Sequence, residues 1–124
     1  MQLKRVVVTG IGTITPIGNN LEDYWQGLIN GVPGAAPITL FDASKFKTRF
    51  ACEVKGFDPT SFMEKKEARK LDRFAQLALY ASDMAVVDAQ INKENVDADR
   101  VGVIFASGIG GLRTFQEEVQ NFAT

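Results

Sequence analysis

The sequence contains no histidine. Imidazole is the side chain whose unperturbed pKa lies near neutrality, so a histidine-dependent proton transfer cannot run on these residues alone. Cysteine occurs once, at Cys52, which excludes an internal disulfide and any cysteine-rich zinc site and fits a reducing compartment. Long apolar runs are missing as well. The opening MQLKRVVVTG sets two cations before three valines, far too short for a signal-peptide core or a membrane span. Nor is there an excess of either charge: 14 basic residues stand against 15 acidic, a formal net charge of -1, with no general pull toward nucleic acid or an anionic membrane. The expectation is a soluble, cytoplasmic protein whose electrostatic partners must be met by a local patch.

What is present is enough for one core: 124 residues, 45% of them hydrophobic, and a globular chain of this size buries roughly two-thirds of its unfolded surface. Residues 5–9 are β-branched and apolar and run into Gly10 and Gly12, predicting a buried strand that ends in a turn. Asn20 is placed to cap a helix with Asp23 in its first turn, Gly31 to stop it, and Leu21, Trp25 and Leu28 to pack inward. The text from Val32 onward is rich in turn signals, an irregular excursion spanning residues 32–64 with short β-like pieces such as RFACEV. Residues 65–90 contain neither Gly nor Pro and predict one long helix with two apolar stripes, Leu71, Phe74, Ala78, Ala81, Ala85 and Leu77, Tyr80, Met84, Val87. Residues 100–108 predict a second buried strand, and a further helix follows with Leu112, Phe115 and Val119 on one side. The pattern is α/β.

The glycine turn invites a nucleotide reading, which the spacing does not favour. A dinucleotide fingerprint needs G-x-G-x-x-G opening directly into a helix, with an acidic residue about 20 positions on. Here Thr15 stands where the third glycine belongs, and Pro16 and Gly18 hold the chain in a loop before the helix starts. The plainer reading is glycines permitting a tight strand-to-loop turn.

Taken together, RVVVTGIGTITPIGNN, FDASKFKTRFACEVKGFD, KKEARKLDRF and RVGVIFASGIGGL, in this order and spacing, resemble the beginning of a β-ketoacyl-acyl carrier protein synthase, above all the type II enzymes of bacterial fatty-acid elongation. The resemblance covers essentially residues 1–124. It implies the N-terminal part of a thiolase-like α/β fold, a mixed sheet with helices on both faces, in an enzyme that usually forms homodimers. It implies a nucleophilic cysteine and two histidines, which take an acyl chain from acyl carrier protein and condense it with malonyl-carrier protein after decarboxylation. Those residues are expected beyond Thr124, so this chain alone is expected to be inactive, with no catalytic residue of its own and no metal or organic cofactor. Cys52, in RFACEV, matches no nucleophile motif and reads as structural.

Two features carry over residue by residue. Ile109, within SGIGG, matches the position that lines and gates the acyl pocket near the dimer interface; the plainer reading is one buried isoleucine in a strand-to-helix turn. Lys66, Arg69 and Lys70 match the patch that docks the acidic carrier protein. They belong to a cluster with Lys65 and Arg73 at spacings of four, and the interleaved Glu64, Glu67 and Asp72 leave open a self-neutralised, solvated face. Two other readings stand beside the synthase: a non-catalytic synthase-like partner subunit or interaction module, and an NADPH-dependent reductase.

Overall fold

The computed structural model describes residues 3–123. Four α-helices form: α1 (Leu21–Ile29), α2 (Lys65–Ala68), α3 (Arg73–Asp88) and α4 (Leu112–Ala123). Two short strands, β1 (Ala36–Pro37) and β2 (Phe50–Ala51), pair antiparallel with Ala36 opposite Ala51 and Pro37 opposite Phe50.

Helix α1 begins and ends where its sequence dictates. The side chain of Asn20 accepts the Asp23 amide at 2.8 Å, and its backbone carbonyl accepts the Tyr24 amide. At the other end Gly31, with φ of 61°, allows its own amide to reach the Leu28 carbonyl and the Val32 amide to reach Gly27. The expected inward packing of Leu21, Trp25 and Leu28 does not occur, since all three are exposed. Gly27 is the buried residue of α1, set against Ile17.

The long helix expected over residues 65–90 is broken between Ala68 and Arg73. Asp72 is extended, with φ of −61° and ψ of 154°, and starts α3 as its N-cap. The carbonyls freed at the break are taken by the Gln76 side-chain amide, which donates to Ala68 at 2.8 Å and to Leu71 at 3.2 Å. No glycine or proline is needed for such a corner when a side chain satisfies the open backbone groups. Helix α3 then runs to a C-terminal cap in which Gln90 takes φ of 54°.

Helix α3 is the axis on which the rest is hung. The segment around Gly10 and Gly12 crosses its Ala81, Ala85 and Ala89 face, and the Ile11 amide donates to Asp88 at 2.8 Å. Residues 12–14 and 105–107 together border an open trough of about 390 Å³ over Phe74, Ala78 and Ala81. On another side Tyr80 meets Phe57 and Phe62 edge-on, each with ring centroids 5.2 Å apart. Those contacts tie the end of the excursion to α3, and the Asn19 side chain, donating to the Lys55 carbonyl at 2.7 Å, ties its middle to the first loop.

The two predicted strands are not paired. Among the described residues the sheet is the two-stranded β1–β2 ribbon, and residues 5–9 and 101–107 lie outside it. Val6 is 92% exposed and Ile104 97%. Their apolar, β-branched composition suits a strand, but a strand closes its hydrogen bonds only against a neighbour. Among the described residues those that are buried are small: Gly27, Ala43, Ala68 and Ala78.

Candidate functional site

The basic cluster is reorganised by the break after α2. Because α2 stops at Ala68, Arg69 and Lys70 flank its carbonyl end, where positive charge is favoured, instead of standing in the first turns of a long helix. Lys70 is partly spoken for: its Nζ lies 2.7 Å from Glu67 Oε1, in a pair more than half exposed on both sides. Among the described residues the exposed side chains of Lys66 and Arg69 have neither a hydrogen bond nor an ion pair.

Arg73 leaves this patch. Its guanidinium covers the Phe57 ring, 4.5 Å from the centroid, and Nη2 donates to the Phe57 carbonyl at 3.3 Å. Burial lowers its pKa below the usual guanidinium range, and the like charge of Arg113 lowers it further. The cluster read from spacing thus separates into solvated cations on α2 and its exit, and one cation stacked under the excursion.

The SGIGG turn lies against the start of α3, on the far side of the same corner. A side chain at Gly110 would run into the Phe74 ring, at 2.5 Å from Cε1, so the close approach requires glycine. Gly111 has φ of 71°, and a Cβ there would meet Asp72 Oδ2 at 3.1 Å. The Thr114 hydroxyl donates to Asp72 Oδ1. Thr114 stands in the first turn of α4, so Asp72 puts a carboxylate at the positive end of that helix from 42 residues away. Between these anchors Ile109 projects free, 74% exposed, and the single buried isoleucine of the plainer reading is not observed. Sequence reasoning passed over Asp72 and Gln76. An N-cap residue type at position 72, inside an otherwise helical run, was the available signal for the first; Gln76 offered none.

The glycines at positions 10 and 12 serve packing. Their Cβ positions would overlap backbone atoms of Ala81, Ala85 and Ala89, so no side chain fits there. The chain then closes a tight turn, with Thr15 and Gly18 exchanging amide-to-carbonyl bonds of 2.8 and 3.3 Å. At the start of α1 the Asp23 and Tyr24 amides are taken by Asn20. Neither element is arranged to hold a pyrophosphate. Among the described residues no three of Cys, Asp and Glu gather as a metal site. Cys52 is an exposed free thiol, and it lies away from both the α2 patch and the glycine turn in sequence, next to β2.

Comparison with known proteins places this arrangement. The model of the family described as "Beta-ketoacyl synthase, N-terminal domain" matches residues 3–123. The chain belongs to the β-ketoacyl synthase family. Relatives in this family include the 3-oxoacyl-[acyl-carrier-protein] synthase 2 of Synechocystis, 51% identical over 118 residues, which are 95% of this chain and 28% of that protein. The protein of the same description from Vibrio harveyi is 47% identical over 112 residues, 90% of this chain and 27% of the relative. That of Staphylococcus aureus strain N315 is 44% identical over 115 residues, 93% of this chain and 28% of the relative. Among solved structures, the ishigamide ketosynthase/chain length factor superposes with a TM-score of 0.66 at 39% identity, covering 73% of this chain and 22% of that one. The thiolase-like ketosynthase fold is therefore present as a part, and the chain spans a little over a quarter of the length of the curated relatives it matches. The glycine turn at its start is a β-ketoacyl synthase element and not a nucleotide cradle.

Proposed function

We propose that this chain is the N-terminal portion of a fatty-acid-elongating condensing enzyme, a β-ketoacyl-[acyl-carrier-protein] synthase of the second type. In the reaction, a cysteine thiolate takes the acyl group from one carrier thioester. Malonyl-carrier protein then loses carbon dioxide, and the carbanion so formed attacks the acyl-enzyme, releasing the cysteine and leaving a β-ketoacyl thioester. The nucleophile and the two histidines belong to the region beyond Thr124. The residues here supply recognition: Lys66, Arg69 and Lys70 meet an acidic acyl carrier protein, and Ile109 borders the acyl chain. The working protein is a cytoplasmic homodimer needing no metal or organic cofactor.

The activity rests on the 51% identity to the Synechocystis synthase across nearly the whole chain. The docking role rests on the two exposed cations, Lys66 and Arg69, left without partners among the described residues at a corner of the fold. No helix among the described residues is long and apolar enough to cross a membrane. The test is condensation by the complete protein, supplied with purified acyl- and malonyl-loaded carrier protein, with and without the Lys66→Glu/Arg69→Glu pair. Product formation that falls through a raised KM, with kcat retained, is the expected result. Product formation indifferent to both substitutions sinks the docking assignment, and no product at all sinks the activity.

A further inference from the structure

The α2–α3 corner and the glycine turn meet at one carboxylate. Asp72 follows Arg69 and Lys70 by three and two residues, it accepts the Thr114 hydroxyl, and its other oxygen packs beside Gly111. Among the described residues no other hydrogen bond or ion pair ties the 107–111 turn to α3, and Ile109 itself is 74% exposed. The residue that begins α3 is also the one that holds the start of α4. We infer that Asp72 is a positioning residue for Ile109, latching the 107–111 turn to the corner that carries the docking cations, and so linking the place where the carrier binds to the place where the acyl chain lies. The inference rests on the reading of Ile109 as an acyl-pocket residue.

The physical basis is short. Gly110 and Gly111 leave the turn with little stiffness of its own, because glycine adds no χ preference and permits many backbone conformations. A charge-assisted hydrogen bond is roughly twice as strong as a neutral one, so a single carboxylate–hydroxyl contact can dominate the restraint on such a segment. Phe74 limits how near the turn comes to α3, while the Asp72–Thr114 contact limits how far it goes. A latch of this kind acts through Ile109 and touches no reacting atom.

The experiment compares the complete protein with its Thr114→Val and Thr114→Ser variants. Three readouts are taken: amide hydrogen exchange over residues 107–112, the ratio of kcat/KM for long against short acyl-carrier substrates, and KM for the carrier itself. Thr114→Val is expected to speed exchange in that segment about tenfold, the loss of one hydrogen bond to a charged group, with the rest of the protein unchanged. It shifts the chain-length ratio by a comparable factor and leaves carrier KM as it was. Thr114→Ser keeps the hydroxyl and restores the exchange rate and the chain-length ratio. Unchanged exchange over 107–112 in Thr114→Val overturns the latch, as does a uniform rise across α3 and α4, which marks a merely structural contact. An Ile109→Ala variant separates the two ideas. If it leaves the chain-length ratio alone while Thr114→Val still frees the turn, the acyl-pocket reading and the inference that depends on it both fail, and only a local tether is left.

Discussion

The guanidinium of Arg73 lies 4.5 Å from the centre of the Phe57 ring and also donates to that residue's own carbonyl, so one side chain grips both the ring and the backbone of the same partner. Through Phe57 the grip extends to Tyr80 and Phe62, and the excursion is clamped to the helix beside it. A lysine keeps the charge but loses the flat face that stacks on the ring. Arg73→Lys is therefore expected to cost about 1 kcal/mol in the complete protein, read as a lower urea midpoint with unchanged slope.

The three cations proposed for docking are not equivalent. Lys70 is 2.7 Å from Glu67, while Lys66 and Arg69 stand free among the described residues. Reversing Lys66 or Arg69 to glutamate is expected to raise carrier-protein KM by about tenfold at low salt, and Lys70→Glu by less, with the differences shrinking as ionic strength rises. Steady-state kinetics at two salt concentrations check the order.

Glu53 gathers the hydroxyl of Thr39 at 2.7 Å and the amides of Thr39 and Leu40, closing the excursion beyond the β1–β2 ribbon. The Thr39 hydroxyl is the largest cause holding its carboxyl below the ordinary 4.5; burial opposes it, and the two amides and Lys55 add to the lowering. A depressed carboxylate contributes stability that is full above its unfolded pKa and lost as pH falls through its folded one. The expected signature is a Glu53 titration below 4.5 by carbon NMR, moving back up in Thr39→Val.

Two backbone positions give opposite signs. At Gly12 an added methyl would lie 2.7 Å from the Ala85 nitrogen, against helix backbone that cannot give way, so Gly12→Ala is expected to cost about 3 kcal/mol or more. At Gln90 a side chain already occupies a left-handed conformation, with φ of 54°, at the end of α3. Gln90→Gly removes that strain and is expected to stabilise by about 0.5 kcal/mol after the greater freedom of glycine in the unfolded chain is deducted. Thermal melts of both variants settle the pair.

In the 124-residue chain taken alone, the buried residues among those described are Gly27, Ala43, Ala68 and Ala78, and the valines and isoleucine of residues 5–9 and 101–107 are exposed. We expect it to bind a hydrophobic dye strongly and to unfold in urea without a sharp cooperative step. A single steep transition for a monomer overturns this.

The sequence was most legible where the determinants are local. Asn20 and Gly31 bound α1 as expected, because a cap is decided by one side chain and the few amides beside it. The valines of residues 5–9 and 101–107 read as buried strands, yet pairing and burial depend on neighbours that local pattern does not contain. The corner at residues 69–72 was hidden because its carbonyls are satisfied by Gln76, whose reach across the break no propensity encodes. Ile109 and the cations were found through resemblance, yet the division of the cations came only from geometry: Arg73 turns to an aromatic ring that lies 16 residues back. Asp72 was read merely as a charge diluting the cluster, and its bond to Thr114 joins residues 42 apart.

The bond from the Ile11 amide to Asp88 joins positions 77 apart in the chain. A ribosome adding roughly 5 to 20 residues per second leaves the first segment waiting about 4 to 15 s before its docking helix exists. For that interval residues 10–12 have no helix to pack against, long enough for a holding chaperone to reach the stretch, and the pace of translation through α3 becomes part of how this domain is made.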